Sequence, residues 1–266
     1  MPALQVAWQA VKRLPAPLLA ATAAGWTVLA LRESSASLSA FCLSGETFSG
    51  GAVASTLLPD LALMLLAMMP PLLASPLQHV WRRSLTRRRG RAVALFVMGY
   101  VAIWLAVGTL LVAASLILAA TAWPAIAIGA LIAVGWQATP LKQTSLNLCH
   151  RRPALEAFGI RAETDALLYG VTHGIWCAGA CWALMLLPLL VGGPLHWALM
   201  LAVMLVAIVE RARAPQPARW NAAWPQLPDG REVRALNYRA ASRNPPRQNK
   251  SRHPIPDCAP VPNRFP

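Results

Sequence analysis

The chain of 266 residues is 56% hydrophobic and only 13% charged. Its apolar positions fall in blocks of about twenty, which excludes an ordinary soluble domain and points to an all-α polytopic membrane bundle of about six transmembrane helices. The formal net charge of +14 does not signal nucleic-acid binding, because the basic residues sit at segment ends and in the C-terminal stretch, not interleaved with base-stacking aromatics.

Lys12 and Arg13 precede the first apolar stretch, residues 14–31, long enough to cross a bilayer with a slight tilt. A signal peptide is the alternative; the long apolar region, with no small-x-small cleavage site directly after it, favours a retained span. Residues 32–55 are rich in serine, glycine and alanine and read as a polar loop carrying Cys42. The second span, 56–78, sets Asp60, Met64 and Met68 four residues apart, hence on one helix face. Asp60 lies near the outer boundary, where capping the helix is its plainest role. Pro70, Pro71 and Pro76 should kink or unwind the later half and free backbone carbonyls that need partners inside the bundle. Six arginines between Arg82 and Arg91 follow, a block that stays cytoplasmic.

The third span is 92–120 and the fourth 124–149, with no charge in the turn between them. Near the end of the fourth, Pro140 frees the carbonyl of Trp136, and Lys142 is expected to snorkel toward the headgroups. Arg151, Arg152 and Arg161 mark a second cytoplasmic loop, after which come a fifth span at 166–191 and a sixth at 195–209. Basic residues thus cluster before span one and after spans two, four and six, so both termini are expected in the cytoplasm. Residues 211–266 hold eleven basic residues and many prolines, and read as a disordered cytoplasmic tail near anionic lipid, with Trp220 and Trp224 as interfacial anchors.

The fifth span carries the chemistry. His173, Cys177 and Cys181 recur every four residues and form one stripe on a helix, in a segment with little ordinary use for an imidazole and two thiols. Intramembrane ionisable groups are costly and by default functional, whereas a lone methionine or cysteine in an apolar helix is usually packing. Gly170, Gly174 and Ala178 line the neighbouring face, where small residues let another helix approach closely. Cys149 and His150 stand at the cytoplasmic end of span four, and as neighbours in sequence they point in different directions. His79 and His196 read as interfacial. Five cysteines without a C-x-x-C pair exclude a secreted disulfide framework.

Four blocks, Ala67 to Pro71 (A-M-M-P-P), Gly99 to Leu105 (G-Y-V-A-I-W-L), Trp136 to Lys142 (W-Q-A-T-P-L-K) and Cys177 to Met185 (C-A-G-A-C-W-A-L-M), resemble the signature blocks of an uncharacterised bacterial family of predicted metal-binding integral membrane proteins. The resemblance covers roughly residues 56–210. It implies a bacterial inner-membrane location and a metal role, and this chain departs from the pattern at Ser145 and Ala180, where the family tends to carry cysteines.

Soft thiolate and thioether donors favour copper, with imidazole a common companion. The expected site therefore comprises His173, Cys177, Cys181, Met64, Met68 and Cys149, binding copper in preference to zinc between spans two, four and five. The partners that follow are the lipid bilayer and a cuproprotein receiving the metal, with an oligomer as a further option and no nucleic acid. The alternative is a non-catalytic membrane subunit or assembly scaffold with no bound metal. Thiol–disulfide exchange between Cys177 and Cys181, one helical turn and about 6 Å apart, is a third reading. An ATP-binding loop, a Ser-His-Asp arrangement and a paired carboxylate site are all lacking, so hydrolytic chemistry has no candidate residues.

Overall fold

A computed structural model describes residues 15–33, 61–120, 124–156, 158–191 and 193–220. Among them there are eight α-helices, a short 3₁₀ turn and no strand. The helices are α1 (Ala16–Glu33), α2 (Leu61–Met68), α3 (Pro70–Arg83), α4 (Arg89–Ala119), α5 (Ala125–Gln137), α6 (Pro140–Cys149), α7 (Arg161–Leu189) and α8 (Gly193–Ala212). Asp60, Cys42, Cys258 and residues 221–266 of the expected tail lie outside the described residues.

Helix α7 is the hub, packed against α4, α5, α6 and α8. It starts just after Gly159, whose φ of 72° is a left-handed conformation that glycine adopts freely. Glu163 in its first turn complements the positive helix end and pairs with Arg91 at 2.8 Å. The small-residue face fulfils its expected role. A methyl group on Gly170 would collide with the backbone of Phe96, and one on Gly174 would lie 3.0 Å from the Ile103 side chain. From α4, Gly99 answers them by seating itself on the backbone of Val171. The register rises together along both chains, so α4 and α7 run parallel with their backbones nearly touching, as small residues permit.

The second and fourth expected spans are each broken. Helices α2 and α3 meet at 73° across Met69, and α5 and α6 at 68° across Ala138 and Thr139. The cause is proline: Pro70 and Pro140 cannot donate to the carbonyls four residues before them, and each opens the next helix at its first turn, where a missing N–H costs nothing. Thr139 repairs the second break. Its amide and hydroxyl both donate to Trp136 O, at 3.0 and 2.8 Å, while the same hydroxyl oxygen accepts from the Lys142 amide.

By length and composition, three single helices among the described residues could cross a membrane, and up to five segments could if each bent pair counts as one. The apolar part of α1, Ala16–Leu31, is shorter. Outward faces are apolar: Leu110, Ile117, Leu131 and Leu141 are all exposed.

Lys142 departs from its expected role. Instead of reaching outward it is buried and forms an ion pair of 2.5 Å with Glu210 on α8. A snorkelling lysine needs a path to water, and α7 and α8 close that path, so a buried carboxylate compensates the charge instead.

Candidate metal centre

The centre is assembled where α7 passes the break between α2 and α3. The bend at Met69 turns its side chain into the bundle, where it is buried. Tyr100 of α4 is also buried, and its hydroxyl donates to Met69 Sδ at 3.1 Å and lies 3.2 Å from Cys177 Sγ. With the phenol proton given to Met69, the Cys177 thiol donates to the phenol oxygen. Two soft sulfur atoms, one from the hinge and one from the hub helix, thus flank a single hydroxyl. One turn beyond Tyr100, the indole Nε1 of Trp104 is buried without a hydrogen-bond partner.

One turn before Cys177, His173 is buried inside a ring of aromatics, with Phe96, Tyr100 and Tyr169 centred 6.0, 6.1 and 5.8 Å from the imidazole. Its Nε2 accepts a hydrogen bond of 3.3 Å from Arg211 Nη1, which places the imidazole proton on Nδ1. The other arm of the guanidinium, Nη2, donates to Cys149 Sγ at 3.5 Å, and Nη1 also reaches Leu72 O at 3.4 Å. That last contact follows from sequence: Pro76, four residues on, has no N–H to offer Leu72 O, so the freed carbonyl finds its partner on α8. His150 secures the same corner through Nε2, which donates to Arg211 O at 3.1 Å.

The expected residues therefore fall into three groups. Cys177 meets the Tyr100 hydroxyl, while His173 and Cys149 meet the Arg211 guanidinium. Cys181 is buried, but its thiol donates back to Cys177 O at 3.0 Å, turned along its own helix. Met68 is buried in the core and Met64 half-buried, neither in a polar contact with the cluster; the sulfur that does reach it is Met69. Among the described residues no three His, Cys, Asp or Glu side chains form a ready-made coordination sphere. The convergent donors are mixed: thiols, a thioether and an imidazole.

Ser145, at one of the departures from the resembled pattern, is buried on α6 against Gly179 of α7, where an added methyl would lie 2.8 Å from its hydroxyl. The sequence reading missed Tyr100, Met69 and Arg211. Arg211 belongs to α8, which continues to Ala212, and not to the tail expected from residue 211; its signal in the sequence is a pair of ionisable residues, Glu210 and Arg211, following directly on an apolar span.

His173 also lines a cavity of about 420 Å³. Its other walls include Arg151, Arg152, Tyr169 and Thr172, so the cavity lies against the basic loop after α6, while His173 itself stays buried behind it. Arg152 is held there by a 2.6 Å hydrogen bond to Ser75 Oγ.

A family model described as PpoB2, copper chaperone, matches residues 61–224. No curated protein and no solved structure matches the chain.

Proposed function

The chain belongs to the PpoB2 copper chaperone family, and from that premise we propose that it is a multi-pass bacterial inner-membrane protein that accepts Cu(I) as cargo in its helix bundle and delivers it to a partner cuproprotein. The observation that carries the reading is the Tyr100 hydroxyl standing between Met69 Sδ and Cys177 Sγ, with the His173 ring centred 6.1 Å from the phenol. Soft sulfur donors with one imidazole select Cu(I) over hard cations. In this proposal Cys177 and Cys149 are the thiol ligands, His173 the nitrogen ligand and Met69 a thioether ligand. Cys181, Met64 and Met68 are the next donors along the path.

A chaperone must hold its cargo and release it. A mixed, incompletely assembled donor set suits that task better than a closed four-ligand cage, because an incoming thiol can replace one ligand at a time. Binding expels the thiol protons, since the thiolate is the ligand. The cavity beside Arg151 and Arg152 gives the metal its way in from the cytoplasmic side. Apolar outward faces and the basic blocks at segment ends support membrane insertion with both termini cytoplasmic, and the stretch after residue 220 serves as a lipid-facing tail.

Full-length protein purified in detergent should retain Cu(I) against a competing chelator, and a Cys177→Ser/Cys181→Ser double variant should lose most of that retention. Equal retention by folded wild type and double variant overturns the proposal. A second reading, a metal-free assembly scaffold, is favoured by the way Arg211 already satisfies Cys149 and His173. Under that reading the double variant fails in assembly while copper retention is negligible throughout.

A further inference from the structure

Arg211 is unusual for its surroundings. Its guanidinium faces Leu72 O, His173 Nε2 and Cys149 Sγ, none of which is a carboxylate. It is also within electrostatic reach of Cys177, Cys181 and Tyr100. The neighbouring buried cation, Lys142, has its counter-charge in Glu210. Arg211 is half-buried, and a cation drawn even partly out of water is favoured by a compensating anion. The groups around Arg211 that can become anionic are the Cys149, Cys177 and Cys181 thiols and the Tyr100 phenol, and of these the thiols do so on binding a soft metal.

From this, and resting on the copper reading above, we infer that Arg211 is a specificity-determining residue that makes the centre favour a monovalent over a divalent soft ion. The charge balance is direct. Cu(I) displaces the protons of the Cys149 and Cys177 thiols, forming two Cu–S bonds and releasing two protons to solvent through the cavity, with no change of oxidation state. The dithiolate complex then carries one net negative charge, which Arg211 neutralises. Zn(II) on the same thiolates gives a neutral complex and leaves Arg211 as uncompensated positive charge in the bundle. The geometry suits this role. Metal binding takes up the His173 Nε2 and Cys149 Sγ lone pairs to which Arg211 now donates. The arginine is retained beside the site by its contact with Leu72 O and by the hold of His150 on its own carbonyl.

The test compares full-length wild type, Arg211→Gln and Arg211→Lys in detergent. Cu(I) and Zn(II) affinities are measured separately by chelator competition, and folding is checked by size-exclusion profile. Charges several ångströms apart at an effective dielectric near 20 support a change on the order of a hundredfold. The ratio of Cu(I) to Zn(II) affinity should therefore fall by about that factor in Arg211→Gln and stay within about tenfold of wild type in Arg211→Lys, which keeps the charge but loses the fork. A merely structural arginine would weaken both metals alike and leave the ratio unmoved. An unchanged ratio in folded Arg211→Gln overturns the inference, as does a collapsed ratio in folded Arg211→Lys; the second comparison still decides if the glutamine variant does not fold. Wild type that binds Zn(II) as tightly as Cu(I) also overturns it. Wild type that retains no Cu(I) overturns the functional proposal itself, a result separate from any change in ratio.

Discussion

Replacing Gly170 by alanine tests whether the α4/α7 contact sets the geometry of the centre. The added methyl would collide with the carbonyl oxygen of Phe96 and lie 2.9 Å from its carbonyl carbon and 3.0 Å from its Cα. Carbon atoms settle at about 3.5 to 4.0 Å, and a helix backbone cannot rotate aside as a side chain can, so the two helices must part. Overpacking of this kind costs about 1–3 kcal/mol, and three backbone atoms put this site at the upper end. Alanine returns about 1 kcal/mol through its better helix propensity, leaving a net loss of about 2 kcal/mol. Gly135→Ala on α5 is the internal control. Nothing lies within 4 Å of a methyl there, so only the propensity gain of about 1 kcal/mol applies. Thermal unfolding of the two variants side by side in detergent should separate them by about 3 kcal/mol, on opposite sides of wild type. If Gly170→Ala is as stable as Gly135→Ala, the close-packing argument is wrong.

The remaining predictions concern the buried charges and the sulfur cluster. Lys142→Met or Glu210→Leu alone should cost about 3–5 kcal/mol, because each strands a buried charge, while the double variant should be more stable than either single one; thermal unfolding of all three reads this out. Tyr100→Phe should leave the protein folded yet weaken Cu(I) binding by about 10- to 100-fold, the usual effect of losing a group that orients metal ligands, as measured by chelator competition. Met69→Leu conserves volume and should cost less than about 1.5 kcal/mol in stability. It should nonetheless weaken Cu(I) binding more than Met64→Leu does in the same assay.

Local rules carried the sequence reading a long way. The four-residue spacing of Gly170, Gly174 and Ala178 defines a packing face whatever helix meets it, and α4 does. Proline's missing N–H predicted the bend in the second span and freed carbonyls in the second and fourth, among them Trp136 O and Leu72 O, the latter now bound by Arg211, while the 68° break before Pro140 went beyond the expectation. What escaped depends on which distant elements meet. Lys142 and Glu210 are 68 residues apart, and each alone looks like a costly residue near a span end; only the packing of α6 against α8 pairs them. Met64 and Met68 share a stripe on a continuous helix, but the 73° bend ends that face and turns the next residue, Met69, toward Tyr100. Arg211 stood out at the end of an apolar span, but its partners were unreadable for the same reason, since they come from α3, α6 and α7.

Copper K-edge X-ray absorption of Cu(I)-loaded full-length protein, compared with Cys177→Ser, tests the central claim most directly. The account predicts a low-coordinate, sulfur-dominated first shell in wild type that loses sulfur scattering in the variant. A shell of nitrogen and oxygen alone, or a sulfur shell identical in the two proteins, would contradict it.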